Sequence, residues 1–215
     1  MQNQKGFNDI PLFFHENYIS IENPNYSSQY HNTIIMHDCE HPIMEEHAKI
    51  CTKNGGDVLE VGFGMGIVAS YIQKHKIKSH TIIESHPQIA DKAREWALNK
   101  PNVKIIEDTW QNAYDKGKLK TYDGIMFDPS DFSKAEEILF INPKIPITKP
   151  GCILTYYNGL IFDQIMQGYK INENPENLKI PGTRYYPFKW KQNTLFHTLH
   201  QGEIYWMSES FRDKR

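Results

Sequence analysis

The chain has 215 residues, of which 39% are hydrophobic and 13% aromatic, which is enough for a substantial core and argues against disorder. Its 24 basic and 26 acidic residues leave a formal charge of −2, which argues against a large nucleic-acid surface because phosphate affinity comes from clustered positive charge. No apolar run reaches about 18 residues and the amino terminus is polar, so we expect neither a membrane span nor a secretory signal.

The cysteines predict a reducing compartment. Cys39, Cys51 and Cys152 are odd in number and widely spaced, and they form no CxxC pair. This usage argues against a disulfide framework or a zinc knuckle. We therefore expect a cytoplasmic protein, a monomer or a homodimer, that holds no metal and binds neither nucleic acid nor a membrane.

Residues 1–35 are rich in Asn, Tyr and Ser and show no sustained hydrophobic period, which predicts an irregular arm packed on the body. Helical spacing begins near Pro42, and Gly55 and Gly56 would stop that helix. Its predicted buried face consists of Ile43, Met44, His47, Ile50 and Cys51.

Strand and helix patterns then alternate along the chain. The predicted strands are DVLEVG (57–62), SHTIIE (79–84), VKIIED (103–108), TYDGIMFD (121–128) and CILTYY (152–157). Helical patterns follow the first two, at 66–75 and at 87–100, the second beginning at Pro87. This alternation predicts an α/β, Rossmann-like fold with a mostly parallel seven-stranded sheet and helices on both faces.

The last two strands of that sheet come from a different kind of sequence. RYYPFKWK and TLFHTLHQGEIYWM are rich in Pro, Tyr and Trp and are predicted to be closing antiparallel strands at one sheet edge. No boundary suggests a second domain. We expect one domain over residues 1–215, with an arm at 1–35, a core at 36–188 and a strand and tail at 189–215.

The segment EVGFGMG forms a glycine loop between the first predicted strand of the core and a helix. Glycines there permit a tight turn and close approach of a ligand. Glu84 ends the next strand, where an adenosine ribose would present its hydroxyls. An adenosyl cofactor is therefore predicted, bound by Glu60, Gly62, Phe63, Gly64, Met65, Gly66 and Glu84.

Glu60 distinguishes between adenosyl cofactors. A dinucleotide loop is normally free of acid because a pyrophosphate sits on it. Glu60 would repel a pyrophosphate, but it would suit the amino group of S-adenosylmethionine. Asp108, followed by Thr109 and Trp110, is predicted to meet the adenine amino group and ring. The alternative is that Glu60 and Glu84 cap helices and that Trp110 belongs to the core.

Asp128 in the segment FDPSD ends the fourth predicted strand, and the carboxyl ends of such strands open on the ligand crevice. Its surroundings also resemble the D-P-P-Y loops of enzymes that methylate amide or exocyclic nitrogens. A helix-capping role fits Ser130 or Asp131 better. His37 and His41 are spaced like metal ligands, but Pro42 argues against a helix running through them.

Six segments, in order and at similar intervals from Met36 to Phe188, resemble the guanidinoacetate N-methyltransferase family and its arginine-methylating relatives. They are MHDCEHPIMEEHA, GGDVLEVGFGMGI, HTIIESHP, YDGIMFDPSDFS, KPGCILTYYN and RYYPF. The GFGM loop and the R-Y-Y-x-F tail are specific to this group. The resemblance implies a class I S-adenosylmethionine-dependent methyltransferase in which Glu40 and Asp128 hold a guanidinium.

That role agrees with the chemistry. A guanidinium has no free lone pair, so its methylation needs carboxylates that orient it and accept a proton. Asp128 is the expected base, and Pro129 and Asn158 are further substrate-contact candidates; the alternative for Asn158 is a turn residue. Glu40 and Asp128 would clamp the guanidinium, with the methyl group held in line with the attacking nitrogen.

The chain departs from the creatine-forming enzymes at two places. Cys39 replaces an aromatic residue, and D-P-S-D replaces D-T-Y after the fourth strand. The added Asp131 favours arginine or agmatine over guanidinoacetate as the acceptor. Rival hypotheses are methylation of an amino nitrogen in RNA or protein, a nucleotide-binding dehydrogenase, and a non-catalytic adenosyl-binding module.

Overall fold

The computed structural model describes residues 7–21, 33–129, 147–157, 183–189 and 204–211. The strands are β1 Leu12–Phe14, β2 Tyr18–Ile21, β3 Thr33–His37, β4 Asp57–Val61, β5 Ser79–Glu84, β6 Val103–Glu107, β7 Tyr122–Phe127, β8 Thr148–Tyr156, β9 Thr183–Lys189 and β10 Ile204–Phe211. The helices are α1 His41–Cys51, α2 Ile67–Ile72, α3 Pro87–Ala97 and α4 Trp110–Asp115, with short 3₁₀ helices at Phe7–Asp9 and Asp38–Glu40.

Within the described residues, seven strands form one sheet in the order β6-β5-β4-β7-β8-β10-β9. The first five are parallel, while β10 pairs antiparallel with both β8 and β9. The predicted Rossmann-like sheet and its two closing antiparallel strands are therefore confirmed. From β4 the chain adds β5 and β6 on one side of the sheet and then β7 and β8 on the other. This change of side places a ligand crevice at the carboxyl ends of β4 and β7.

Both faces of the sheet are covered by helices, as predicted. Leu59 and Val61 of β4 share a core cluster with Ala113 of α4. On the opposite face, Val58 packs with Met44 of α1 and with residues of α2. All five residues of β4 are buried, including Asp57 and Glu60, because this parallel strand is covered on both faces. Its sequence therefore does not alternate strictly between apolar and polar residues.

The amino-terminal residues correct one prediction. Instead of an irregular arm, β1, β2 and β3 form an antiparallel sheet, with Leu12 opposite Ile21 and Tyr18 opposite His37. Their strands are only three to five residues long, too short for a hydrophobic period to show. The sheet does pack on the body, because its buried Leu12 and Ile21 share a core cluster with Ile89 of α3.

Helix α1 matches its predicted buried face. Ile43, Met44, His47, Ile50 and Cys51 are all buried. The helix begins directly after Glu40, which occupies the N-cap position, and ends at Cys51. Among the residues that the structure describes, no helix combines the length and apolar character that a membrane crossing requires.

Candidate active site

A cavity of about 770 Å³ opens at the carboxyl ends of the parallel strands, where the topology places a ligand crevice. This volume is typical of a site for a small organic ligand. Its lining comes from the amino-terminal sheet, the glycine loop, and the loops that follow β5, β6 and β7. The polar and charged lining residues are Asn8, Asp9, Glu40, Glu84, Ser85, Asp108, Thr109, Gln111 and Asp128.

The glycine loop after β4 forms one wall of this cavity through Gly62, Phe63 and Gly64. Gly62 has a φ of 89°, and a Cβ there would overlap the carbonyl oxygen of Asp128. A Cβ on Gly64, with a φ of 54°, would overlap the sulfur of Met36. Glycine is thus needed at both places because the loop is packed against β3 and against the end of β7.

Glu84 lies at the end of β5, where the ribose was predicted. Its Oε2 accepts the backbone N–H of Phe63 at 2.9 Å, and its Oε1 accepts the backbone N–H of His86 at 2.8 Å. A carboxylate oxygen has two lone pairs, so both oxygens can also accept a ligand hydroxyl. Glu84 lines the cavity and at the same time fixes the loop that forms its neighbouring wall.

Asp108 lines the cavity beside Thr109, but its carboxylate is partly engaged. Lys118 lies 2.7 Å and Lys116 3.1 Å from Oδ2. The hydrogen bond from Lys118, followed by that from Lys116, holds the pKa of Asp108 below its usual range. The Thr109 hydroxyl accepts the backbone N–H of Asn112 at 3.2 Å and caps α4. The sequence did not predict the two lysines at this acid.

Trp110 is both a core residue and a cavity residue. It is 6% exposed, packs edge-on against Phe127 with ring centroids 5.8 Å apart, and lines the cavity. Its indole Nε1 is buried and has no hydrogen-bond partner among the described residues. The face of its ring, and not this buried nitrogen, is what Trp110 offers to a ligand in the cavity.

Glu40 and Asp128, here called the acidic pair, line the same cavity from different elements. Oε1 of Glu40 accepts the backbone N–H of His37 at 3.1 Å. Burial raises the pKa of Glu40 to about 7. Burial, then repulsion from Glu40, Glu60 and Glu84, raises the pKa of Asp128 well above its usual range. A cation between the two carboxyls would remove this repulsion and favour their ionised forms.

Glu60 is not among the residues that line the cavity, and its contact with the amino group of a cofactor stays a prediction. Its side chain is fully buried, and its Oε2 lies 2.8 Å from Nε2 of His80, without hydrogen-bond geometry. Burial raises the pKa of Glu60. Side chains alternate along β4, so Val61 lines the cavity while Glu60 points to the opposite face, where Val58 packs against α1 and α2.

Met65 and Gly66 also lie outside the lining and support the loop instead. The backbone N–H of Met65 donates to the Met36 sulfur at 3.1 Å, and that of Gly66 donates to the Phe63 carbonyl at 2.8 Å. Pro129 lines the cavity beside Asp128. Asn158, Ser130 and Asp131 lie outside the described residues.

Sequence reasoning missed the contribution of the 3₁₀ helix Phe7–Asp9, which lines the cavity next to Ser85. The Ser85 hydroxyl donates to Oδ1 of Asn8 at 3.1 Å, and Nε2 of His86 donates to the Ile10 carbonyl at 2.9 Å. Asn8 and Ser85 are 77 positions apart. No local pattern reports a contact over that separation, and only the folded chain reveals it.

The sheet order and the cavity at its carboxyl edge are those of the Rossmann-like fold of class I methyltransferases. Solved structures support the fold. The N-methyltransferase NodS from Bradyrhizobium japonicum aligns with a TM-score of 0.55 at 11% identity, covering 82% of this chain and 97% of its own. Spermidine synthase from Thermotoga maritima aligns with a TM-score of 0.55 at 15% identity, covering 94% of this chain and 72% of its own.

The family is more specific than the fold. The family model described as guanidinoacetate N-methyltransferase matches residues 12–181, and the chain belongs to this family of S-adenosylmethionine-dependent N-methyltransferases. Protein arginine N-methyltransferase 2 of Kluyveromyces lactis is 33% identical over 140 residues, which is 60% of this chain and 34% of that protein.

A second relative aligns over more of the chain. Protein arginine N-methyltransferase 2 of Aspergillus oryzae is 27% identical over 203 residues, which is 90% of this chain and 48% of that protein. The chain thus spans about a third to a half of the length of these two relatives.

Proposed function

We propose that this protein transfers a methyl group from S-adenosylmethionine to a guanidino nitrogen of a small molecule. The acidic pair is the observation that carries this proposal. Glu40 and Asp128 face one cavity, and none of the described residues that line it is Lys, Arg or His. Two carboxyls with raised pKa values in a wall without basic groups are suited to bind a cation.

The residues around the glycine loop fit the cofactor. Glu84 has acceptor capacity for ribose hydroxyls, and Trp110 offers an aromatic surface at the cavity wall. The close packing of Gly62 on the Asp128 backbone brings the cofactor loop next to the acidic pair. The cofactor supplies an electrophilic methyl group on a positively charged sulfur. The acidic lining of the cavity favours binding of that positive charge.

The acidic pair can perform three tasks for a guanidinium acceptor. A carboxylate accepts paired N–H groups of the planar fork and so fixes its orientation. Two carboxylates on one cation also restrict the position of the nitrogen that attacks the methyl group. Asp128 accepts the proton that the nitrogen must lose, and its raised pKa brings it closer to what a general base at neutral pH requires.

Peptidyl arginine is the second candidate acceptor. The names of the relatives from Kluyveromyces lactis and Aspergillus oryzae favour it, and its side chain presents the same guanidinium to the acidic pair. The two candidates differ in what lies beyond that group. A small molecule fits wholly within a cavity of about 770 Å³, whereas the backbone of a bound peptide must extend out of it through an opening.

The test is transfer of label from methyl-labelled S-adenosylmethionine. The panel holds guanidinoacetate, arginine, agmatine, 4-guanidinobutyrate and an arginine-containing peptide, with putrescine as an amine that lacks a guanidino group. Label on a small guanidino compound, abolished by Glu40→Gln, supports the proposal. Label on the peptide alone supports the second candidate. Label on putrescine alone, or on nothing, overturns the guanidino acceptor.

A further inference from the structure

Helix α1 carries a polar side chain in an otherwise apolar interface. His47 is completely buried, and the helix packs against β8 and β10 through Ile43, Ile50, Ile153 and Met207. Burial lowers the pKa of His47 to about 3, so its ring is neutral at physiological pH. An uncharged histidine at such a place contributes directional hydrogen bonding instead of charge.

The hydrogen bonds of His47 lead across two strands. Its Nδ1 lies 2.7 Å from the hydroxyl of Thr155 on β8. That hydroxyl donates its one hydrogen bond to the carbonyl of Ser208 on β10 at 2.6 Å, so it accepts a hydrogen bond from Nδ1–H of His47. The Ser208 hydroxyl donates to the Tyr156 carbonyl and accepts the Tyr156 N–H, both at 2.9 Å.

This chain of hydrogen bonds begins two helical turns from the site. Glu40 is the N-cap of α1, and His47 follows it by seven positions, about 10 Å along the axis and on the same side of the helix. Apolar contacts are not directional and tolerate sliding of a helix, whereas a hydrogen bond at 2.7 Å does not. The helix is rigid, so whatever fixes His47 also fixes Glu40.

The same hydrogen bonds also reach the other side of the cavity. Thr155 and Tyr156 immediately precede Tyr157, which lines the cavity. The backbone N–H of Tyr157 donates to the carbonyl of Phe127 at 3.1 Å, and Phe127 directly precedes Asp128. The register of α1 on β8 therefore sets the distance between the two members of the acidic pair.

We propose that His47 is a positioning residue, which fixes the register of α1 on β8 through Thr155 and thereby holds Glu40 at the acceptor. The proposal rests on the proposed function, in which Glu40 and Asp128 together bind a guanidinium. A displacement of about 1 Å at such a clamp is enough to cost up to about a hundredfold in rate.

Two substitutions of His47 separate this role from simple packing. Asn places its side-chain nitrogen where Nδ1 of histidine lies, whereas Leu places a methyl group there. We expect His47→Leu to raise the acceptor KM at least about tenfold while the dissociation constant of the cofactor stays within about twofold. His47→Asn should stay within about threefold of the unchanged protein in both quantities.

Ile50→Ala is the matched control, because it removes buried volume from the same helix without touching the hydrogen bonds. It should lower the stability and leave the acceptor KM unchanged. An equal rise of KM in Ile50→Ala, or an equal rise in His47→Leu and His47→Asn, would overturn the positioning role. If His47→Leu does not fold, Thr155→Val removes the same hydrogen bond with no change in shape, and Thr155→Ser is its control.

A measurement without turnover distinguishes failure of this inference from failure of the proposed function. The carboxyl of Glu40 can be titrated by NMR in the ligand-free protein. If α1 loses its register in His47→Leu, the pKa of Glu40 should fall from about 7 toward its ordinary value, and His47→Asn should preserve it. An unchanged titration in His47→Leu contradicts the inference even if no guanidino acceptor is found.

Discussion

The carboxylate of Glu84 at the end of β5 accepts the backbone N–H of Phe63 at 2.9 Å and so holds the glycine loop that follows β4. One acid therefore serves two purposes, since it also lines the cavity where a ribose is expected. The second oxygen accepts the N–H of His86 at 2.8 Å, which ties the start of α3 to the same carboxylate.

Glu84→Gln should weaken cofactor binding and destabilise the fold. The amide keeps one acceptor oxygen, so its NH₂ group must face one of the two N–H donors. We expect a loss of about 1–3 kcal/mol of unfolding free energy and a rise of at least about tenfold in the dissociation constant of S-adenosylhomocysteine. Urea unfolding and calorimetric titration measure the two quantities.

Glu107→Gln is the control for this change, since Glu107 ends the neighbouring strand β6 but is exposed and pairs with Arg94. Its loss should change the stability by less than about 0.5 kcal/mol. Unchanged cofactor affinity in Glu84→Gln would remove Glu84 from the ribose site.

Gly62→Ala should disrupt both the loop and the acidic pair. The residue has a φ of 89°, and the new Cβ would overlap the carbonyl oxygen of Asp128. The strain and the displaced Asp128 together should cost about 3 kcal/mol or more, measured by urea unfolding. Gly117→Ala separates the two effects, because Gly117 has a φ of 65° and open space around it. Its cost should be about 1–2 kcal/mol, and equal costs for both variants would contradict the close approach of the two loops.

The raised pKa of Glu40 predicts opposite effects of pH on stability and on binding. The Glu40 carboxyl binds its proton more tightly in the folded protein than in the unfolded chain, where its pKa is 4.5, so protonation stabilises the fold. This stabilisation is complete below pH 4.5 and is lost as the pH rises through about 7. A guanidinium needs the ionised form, so the acceptor KM should rise as the pH falls below about 7.

Glu40→Gln tests both effects in one variant. At pH 8 the ligand-free variant should be more stable than the unchanged protein in thermal unfolding, because it lacks a carboxylate that burial disfavours. It should also lose acceptor binding. Glu45→Gln, an exposed change on the same helix beside Lys49, should leave both quantities nearly unchanged. A lower stability of Glu40→Gln at pH 8 would show that burial does not disfavour the ionised carboxyl of Glu40.

Asp128→Asn should lower kcat by at least about a hundredfold while cofactor binding survives, because the general base and half of the clamp are lost together. Single-turnover measurements and titration with S-adenosylhomocysteine give the two values. Asp123→Asn is the control, because Asp123 lies in β7, the strand that precedes Asp128, and pairs with Lys149 away from the cavity. Turnover that matches the unchanged protein in Asp128→Asn would exclude Asp128 as the base.

The alternation of strand and helix patterns was enough to predict the sheet and the edge at which the cavity opens. Apolar runs such as 124–127 can be recognised because a parallel strand is buried on both faces, and the acids that follow them fall at one edge of the sheet. Glu84 and Asp128 could therefore be assigned to a common crevice from their places in the alternation, and the glycine loop marked where the chain approaches a ligand.

Which acids line that crevice, and how their pKa values are shifted, depends on the packing of the folded chain. Glu60 follows the pleat of β4 to the face where His80 is buried, while Lys116 and Lys118 occupy one oxygen of Asp108. The pKa of Glu40 near 7 depends on burial by distant segments of the chain. Desolvation and long-range contacts have no signature in local spacing, because they arise only when residues far apart in sequence are packed together.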